Sequence, residues 1–135
     1  MQIVIDSTVW VSALVFGGNP RKVFERVVGE GHTLVISQEI LSETRRIFFS
    51  KFPDFVDDFE ALIIALAGRS KYVELGACRV DVSRDPDDNK VIETALGGAV
   101  RCIISGDKDL LVLKKYQDIR IITPKQWLDR HQKTL

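Results

Sequence analysis

Apolar residues along this chain recur with two spacings, and the alternation between them predicts a layered α/β fold. Gln2 to Ile5 is a short apolar strand, and Ser7 to Leu14 continues with helical spacing. Gly17-Gly18-Asn19 breaks that helix, and Pro20 opens a second one through Val28, with Val23, Phe24, Val27 and Val28 on one face. Gly29 and Gly31 are expected to end it. His32 to Ile36 reads as a second strand. Ser37 then caps a helix to about Phe49, with Ile40, Leu41, Thr44, Ile47 and Phe48 inward. From Asp54 to Ala67 the helical period returns through Phe55, Phe59, Leu62, Ile63 and Leu66, until Gly68 stops it. Lys71 to Leu75 is a third strand.

In the second half, Asp85 is placed as a helix cap and Pro86 as the first helical residue, followed by the stripe Val91, Ile92, Ala95 and Leu96. Next come a strand at Cys102-Ile103-Ile104, a brief helix from Lys108 to Leu113, and a strand from Ile119 to Ile122. Pro124 opens a terminal helix carrying Trp127 and Leu128. Strands interleaved with helices, without linker or repeat, predict a three-layer α/β/α domain. It would span residues 1–135 around a doubly wound parallel sheet of about five strands.

The acids fall at particular points of this pattern. Helical steps of three and four from Asp88 reach Val91 and Ile92, so Asp88 heads the buried stripe, whereas Asp87 leads to a mixed flank and faces solvent. A helix-start acid gains about 0.3 to 1 kcal/mol from the dipole, less than burying a carboxylate costs without a partner. Asp6 directly follows the first strand, and Asp107 follows the Cys102 strand through Ser105-Gly106. In doubly wound sheets that carboxyl edge binds ligands, and a right-handed crossover brings Asp88 to it. Acids gathered there repel one another unless a hard cation such as Mg²⁺ joins them. Asp107 and Asp109 also fit a turn followed by a cap. Glu43 lies on the inward flank of its helix and reads equally as a site residue or as the partner of Arg46. Glu39, in the first turn, belongs to solvent.

Nineteen basic residues against nineteen acidic ones exclude a globally basic surface, so polyanion binding would need a local patch. Candidates are Arg21 with Lys22, Arg45 with Arg46, Lys51, and Arg69 with Lys71. A chain of 135 residues buries roughly two thirds of its unfolded surface and needs no staple. Cys78 and Cys102 are isolated and read as small core residues of a reducing compartment. The start MQIVID has no basic n-region, and no apolar run is long enough for a bilayer, so the expected location is cytoplasmic, away from membranes.

Four segments together, IVIDSTVWVSAL, ISQEILSETRRIF, SRDPDDNKVIETAL and IISGDKDLLVL, resemble the PIN domain family over nearly the whole chain, and within it the VapC-like ribonuclease toxins of toxin–antitoxin pairs. The resemblance implies hydrolysis of RNA phosphodiesters with Mg²⁺, or Mn²⁺ in its place. It maps the acidic site onto Asp6, Glu43, Asp88 and Asp107, with Asp6, Asp88 and Asp107 as metal ligands and Asp109 as a further member. Small polar residues beside the acids would be Ser7 or Thr8 near the first and Ser105 near the last. Many relatives have asparagine where Thr8 stands, and a hydroxyl lacks the amide's two donors, a role Asn89 is placed to share. The resemblance also implies a cognate small antitoxin, often presenting an arginine to the acids, and a homodimer. The helices at 37–49 and 54–67 would supply docking surfaces.

Other classes fit less well. A haloacid-dehalogenase-like phosphatase needs a second Asp where Thr8 stands, and a response-regulator receiver needs an Asp where the chain has Gly76-Ala77. The remaining rival is a catalytically idle PIN-like module that binds RNA or protein, supported by the departure at Thr8.

Overall fold

The computed structural model describes residues 1–76 and 79–131. Its sheet is built on β1 (Gln2–Ile5), flanked in parallel by β2 (Thr33–Ile36) and β4 (Cys102–Ile104). β3 (Ser70–Tyr72) extends it beyond β2, and β6 (Ile119–Ile122) and then β5 (Lys115–Tyr116) extend it beyond β4, giving the order β3-β2-β1-β4-β6-β5. Chain order reverses between β1 and β4, so a ligand crevice is expected outside the carboxyl ends of those two strands.

Period-two alternation divides the core into two layers. Ile3, Ile5, Leu34, Ile36 and Ile104 join α1 (Ser7–Val15), α2 (Gly18–Glu30), α4 (Val56–Leu66) and α7 (Pro124–Arg130) on one side. Val4, Val35, Ile103 and Ile121 face α5 (Pro86–Gly97) and α6 (Lys108–Leu111) on the other. α3 (Gln38–Lys51) bridges the layers, with Ile40 in one cluster and Leu41 and Phe48 in the other. Trp10 anchors the first layer against Phe24 at 4.7 Å and Phe59 at 5.6 Å. The expected three-layer arrangement is therefore present, and each central strand is covered on both faces.

Several boundaries differ from expectation. Gly17 and Gly18 have φ of +79° and +62°, so the break is a tight turn and α2 begins at Gly18, two residues before Pro20. Gly29 lies inside α2; Gly31, at φ +72°, is the residue that caps it, its N–H donating to Val27 O. The 54–67 helix has 3₁₀ turns at both ends, Pro53–Phe55 and Ala67–Arg69, and its regular part is α4. β3 starts and ends earlier than Lys71 to Leu75. The sheet has a sixth strand, β5, antiparallel to β6 and too short to leave a pattern in sequence.

Helix α3 has little free apolar surface: Ile40, Leu41, Thr44 and Phe48 are buried, although Phe49 is exposed. The apolar hollow lies instead among α1, α2 and α4, about 450 Å³ lined by Leu14, Phe24, Val28, Leu62 and Leu66. Cys102 is a buried free thiol whose pKa burial raises to about 11. Ala77 and Cys78 lie outside the described residues. Among those described, no helix is long and apolar enough to cross a membrane.

Candidate acidic site

Two strand-to-helix junctions and the first turn of α5 meet at the carboxyl edge. β1 ends in Asp6, which caps α1: its Oδ1 accepts from the Val9 N–H at 3.3 Å, while its own N–H continues the ladder to Ile104 O. Two hydroxyls hold this carboxylate. Thr8 Oγ1 donates to Oδ1 at 2.5 Å, and Ser105 Oγ donates to Oδ2. Each hydroxyl also accepts from the turn after β4: Thr8 from the Gly106 N–H and Ser105 from the Asp107 N–H, both at 2.9 Å. A β-carbon on Gly106 would stand 3.3 Å from Thr8 Oγ1, which gives the glycine of Ser105-Gly106-Asp107 a steric reason. Thr8 thus uses its one donor on Asp6 and its lone pair on Gly106.

Asp107 caps α6 by accepting the Asp109 N–H at 2.8 Å. It therefore fills the turn-and-cap role and the acidic-edge position at once. Asp88 enters from the first turn of α5 and is buried as its spacing predicts. Oxygens of Asp88, Asp107 and Asp85 lie within 4.8 Å of one another. The sequence pattern gives Asp85 the cap of α5, a role it does fill by accepting the Asp87 N–H at 2.9 Å. Asp109 is directed elsewhere, to an exposed ion pair with Arg84 at 3.1 Å.

Asn89 does not share Thr8's role. Its Oδ1 accepts the Val82 and Ser83 N–H groups at 3.1 and 2.9 Å, and its Nδ2 donates to Ser83 O. One turn later the buried Glu93 accepts the Val80 N–H at 3.3 Å. These two side chains fasten the segment before α5, and that segment delivers the Ser83 hydroxyl to Asp88 Oδ2 at 3.0 Å. Ser83, Asp85 and Glu93 were not singled out by spacing, because Ser and Asp before a helix look like ordinary caps and Glu93 like a solvated acid.

Glu43 is half-buried on α3, as its inward flank predicts, and Glu39 is exposed. Asp87 is half-buried and shares a small hollow of about 180 Å³ with Glu43, Arg46, Ile47 and Ser50. Arg45 pairs with Glu60 at 2.5 Å and Arg21 donates to Ala13 O, so Arg46 is the member of those basic pairs that adjoins the acids.

Burial and crowding raise three carboxyls. Desolvation lifts Asp6 to about 6 against the hydrogen bonds from Ser105 and Thr8, with Asp107 adding repulsion. Glu43 rises to about 7 through desolvation, then through Asp87, Asp6 and Asp85, opposed by a hydrogen bond from Ser7. Asp88 also rises to about 7, through desolvation first; the Ser83 hydrogen bond opposes this and Asp107 reinforces it. Groups poised near neutrality in an oxygen-only cluster bind protons or hard cations in place of one another.

Comparison with known proteins agrees with this geometry. The model of the PIN domain family matches residues 2–109. Two solved structures are similar in fold: VapBC2 from Rickettsia felis, bound to a DNA fragment from its promoter, and VapC20 of Mycobacterium tuberculosis, a toxin cleaving the sarcin–ricin loop. The first is 10% identical with TM-score 0.62, covering 90% of this chain and 97% of that one. The second is 12% identical with TM-score 0.61, covering 87% and 98%. None of the curated proteins matches. The match spans both acidic strand ends, the Glu43 helix and the Asp88 helix, and the chain belongs to the PIN domain family.

Proposed function

We propose that the chain, acting as one PIN domain over residues 1–135, is a metal-dependent endoribonuclease and the toxin of a type II toxin–antitoxin pair. The observation that carries this reading is the meeting of Asp85, Asp88 and Asp107 oxygens within 4.8 Å, beside the buried Asp6. No histidine or cysteine belongs to that trio, and an all-oxygen donor set fits Mg²⁺ or Mn²⁺ better than a softer ion. Asp88 and Asp107 would hold the cation, with Asp85 as a third oxygen donor. Asp6, oriented by Thr8 and Ser105, would contribute its charge from beneath.

When bound, the cation would polarise the scissile phosphate and activate water. The protein's own part is orientation and proton handling. Glu43, with its pKa near 7, is suited to accept a proton from an attacking water. Arg46 in the adjoining hollow is suited to hold a backbone phosphate. His32 and His131 are occupied elsewhere, His32 with Glu30 and His131 with the Trp127 carbonyl. Support for the idle alternative came from Thr8, whose hydroxyl bonds both Asp6 and Gly106.

The toxin role rests on the family and on the VapBC2 and VapC20 folds. We assign the cytoplasm as its compartment and a small antitoxin as its partner, with a second copy of the chain completing a homodimer. The apolar hollow among α1, α2 and α4 suits a partner helix. The test is incubation of the purified chain with single-stranded RNA in Mg²⁺, in Mn²⁺ and in chelator. Internal cleavage in either metal and none in chelator is expected; equal cleavage in chelator would refute the mechanism. Expression of the lone gene should slow growth, and co-expression of its neighbour should relieve it.

A further inference from the structure

At the opposite edge of the sheet, three arginines gather at the entry to β4 and β6. β4 and β6 run parallel with Cys102 paired to Arg120, and the Arg120 N–H donates to Arg101 O at 2.8 Å. The residues entering the two strands are therefore neighbours. Helix α7 runs back from the carboxyl edge, so its last turn returns Arg130 to the same end. These three arginines wall a cavity of about 350 Å³ whose lining, among the described residues, contains no carboxylate. Cys102 and Ile122, both buried, contribute its apolar part.

We propose that this cavity is a binding site for a phosphate-bearing anion, held by Arg101, Arg120 and Arg130 and separate from the acidic site. Several other arginines of this neutral chain are engaged: Arg21 donates to Ala13 O, Arg26 to His131 O at 2.7 Å, Arg45 pairs with Glu60, and Arg84 with Asp109. Among the described residues, Arg101, Arg120 and Arg130 donate no side-chain hydrogen bond and form no ion pair. Arg130 also complements the carbonyl end of α7, but that explains one base and not three from separate segments. Like charges around a concavity reinforce one another's field, and guanidinium forks match phosphate oxygens two at a time. The cavity admits a phosphate with a sugar or a second phosphate. It lies at the far end of β4 from Asp107, with the three-residue strand between them, roughly 10 Å at about 3.3 Å per residue.

The test uses the full chain in chelator, so that it reads neither nuclease activity nor metal binding. Calorimetric titration with inorganic pyrophosphate should saturate in the millimolar range or below, and Arg120→Ala or Arg130→Ala should weaken it about tenfold. Glu43→Gln, at the other edge, should leave it unchanged. All three arginines are exposed, and melts without ligand check that the variants fold. Short RNAs with and without a 5′-phosphate identify the source. A preference for the phosphorylated strand, lost in the variants, indicates a terminal phosphate; equal binding of both strands, lost in the variants, indicates the backbone. Pyrophosphate binding without RNA binding indicates a free anion. Absence of saturable pyrophosphate binding, or equal affinity in the Arg120→Ala/Arg130→Ala double variant, overturns the site.

Discussion

Ser105 donates its hydroxyl to Asp6 across a separation of 99 residues, and through the Asp107 N–H the same oxygen joins the ends of β1 and β4 into one acidic edge. Ser105 is wholly buried, so nothing from solvent replaces it. Ser105→Ala is predicted to cost about 2 kcal/mol, typical of a lost hydrogen bond to a charged group, and to lower RNA cleavage by disordering two acids at once. Urea unfolding and a cleavage assay measure the two effects. Wild-type values in both would remove Ser105 from the site's framework.

Asn89 is predicted to act through the segment before α5. Asn89→Ala leaves the Val82 and Ser83 N–H groups without their acceptor and frees Ser83 from Asp88. The variant should lose about 1 kcal/mol, typical of a lost hydrogen bond where water can reach the freed donors, since Val82 is exposed and Ser83 half-buried. Hydrogen exchange should quicken at those two amides more than in β1. Uniform quickening over the whole chain would mean that Asn89 serves only global stability.

The metal-free protein should lose stability as pH rises. Asp6, Glu43 and Asp88 have folded pKa values of about 6, 7 and 7, above their ordinary values near 4. A carboxyl with a raised folded pKa binds protons more readily when folded, so its stabilising share is complete below about pH 4 and lost as pH climbs through 6 to 7. Glu60, lowered by its Arg45 partner, works in the opposite sense but is largely solvent-screened. Melting in chelator at pH 5 and pH 8 should give the higher midpoint at pH 5, and Mg²⁺ should narrow the gap. A higher midpoint at pH 8 in chelator would mean that burial and crowding do not raise these carboxyls.

Asp88 was legible because a carboxylate at the head of Val91, Ile92 and Ala95 breaks the apolar stripe, and Asp6 because it directly follows a buried strand. Asp85 was hidden by its own capping bond: one side chain both starts α5 and faces Asp88, and only the first role has a sequence signature. The spacing of Asn89 carried no information about Val82 and Ser83, since irregular segments have no period. β5 escaped because two residues cannot display alternation. The basic cavity escaped because Arg101, Arg120 and Arg130 become neighbours only through the register of β4 with β6 and the return of α7. The sheet, by contrast, was visible throughout, since buried parallel strands are short apolar runs set between helical periods.

Convergence of Asp85, Asp88 and Asp107 on a divalent cation is tested most directly by thermal melts of wild type and Asp88→Asn, each in chelator and in Mg²⁺. Removing one repelling charge should raise the midpoint in chelator. It should also shrink the Mg²⁺-dependent shift, which for wild type at ten times the dissociation constant corresponds to about 1.4 kcal/mol, or a few degrees. A variant that melts lower in chelator and keeps the full Mg²⁺ shift would instead make Asp88 a helix-start acid stabilised by the dipole of α5, and would contradict the metal site.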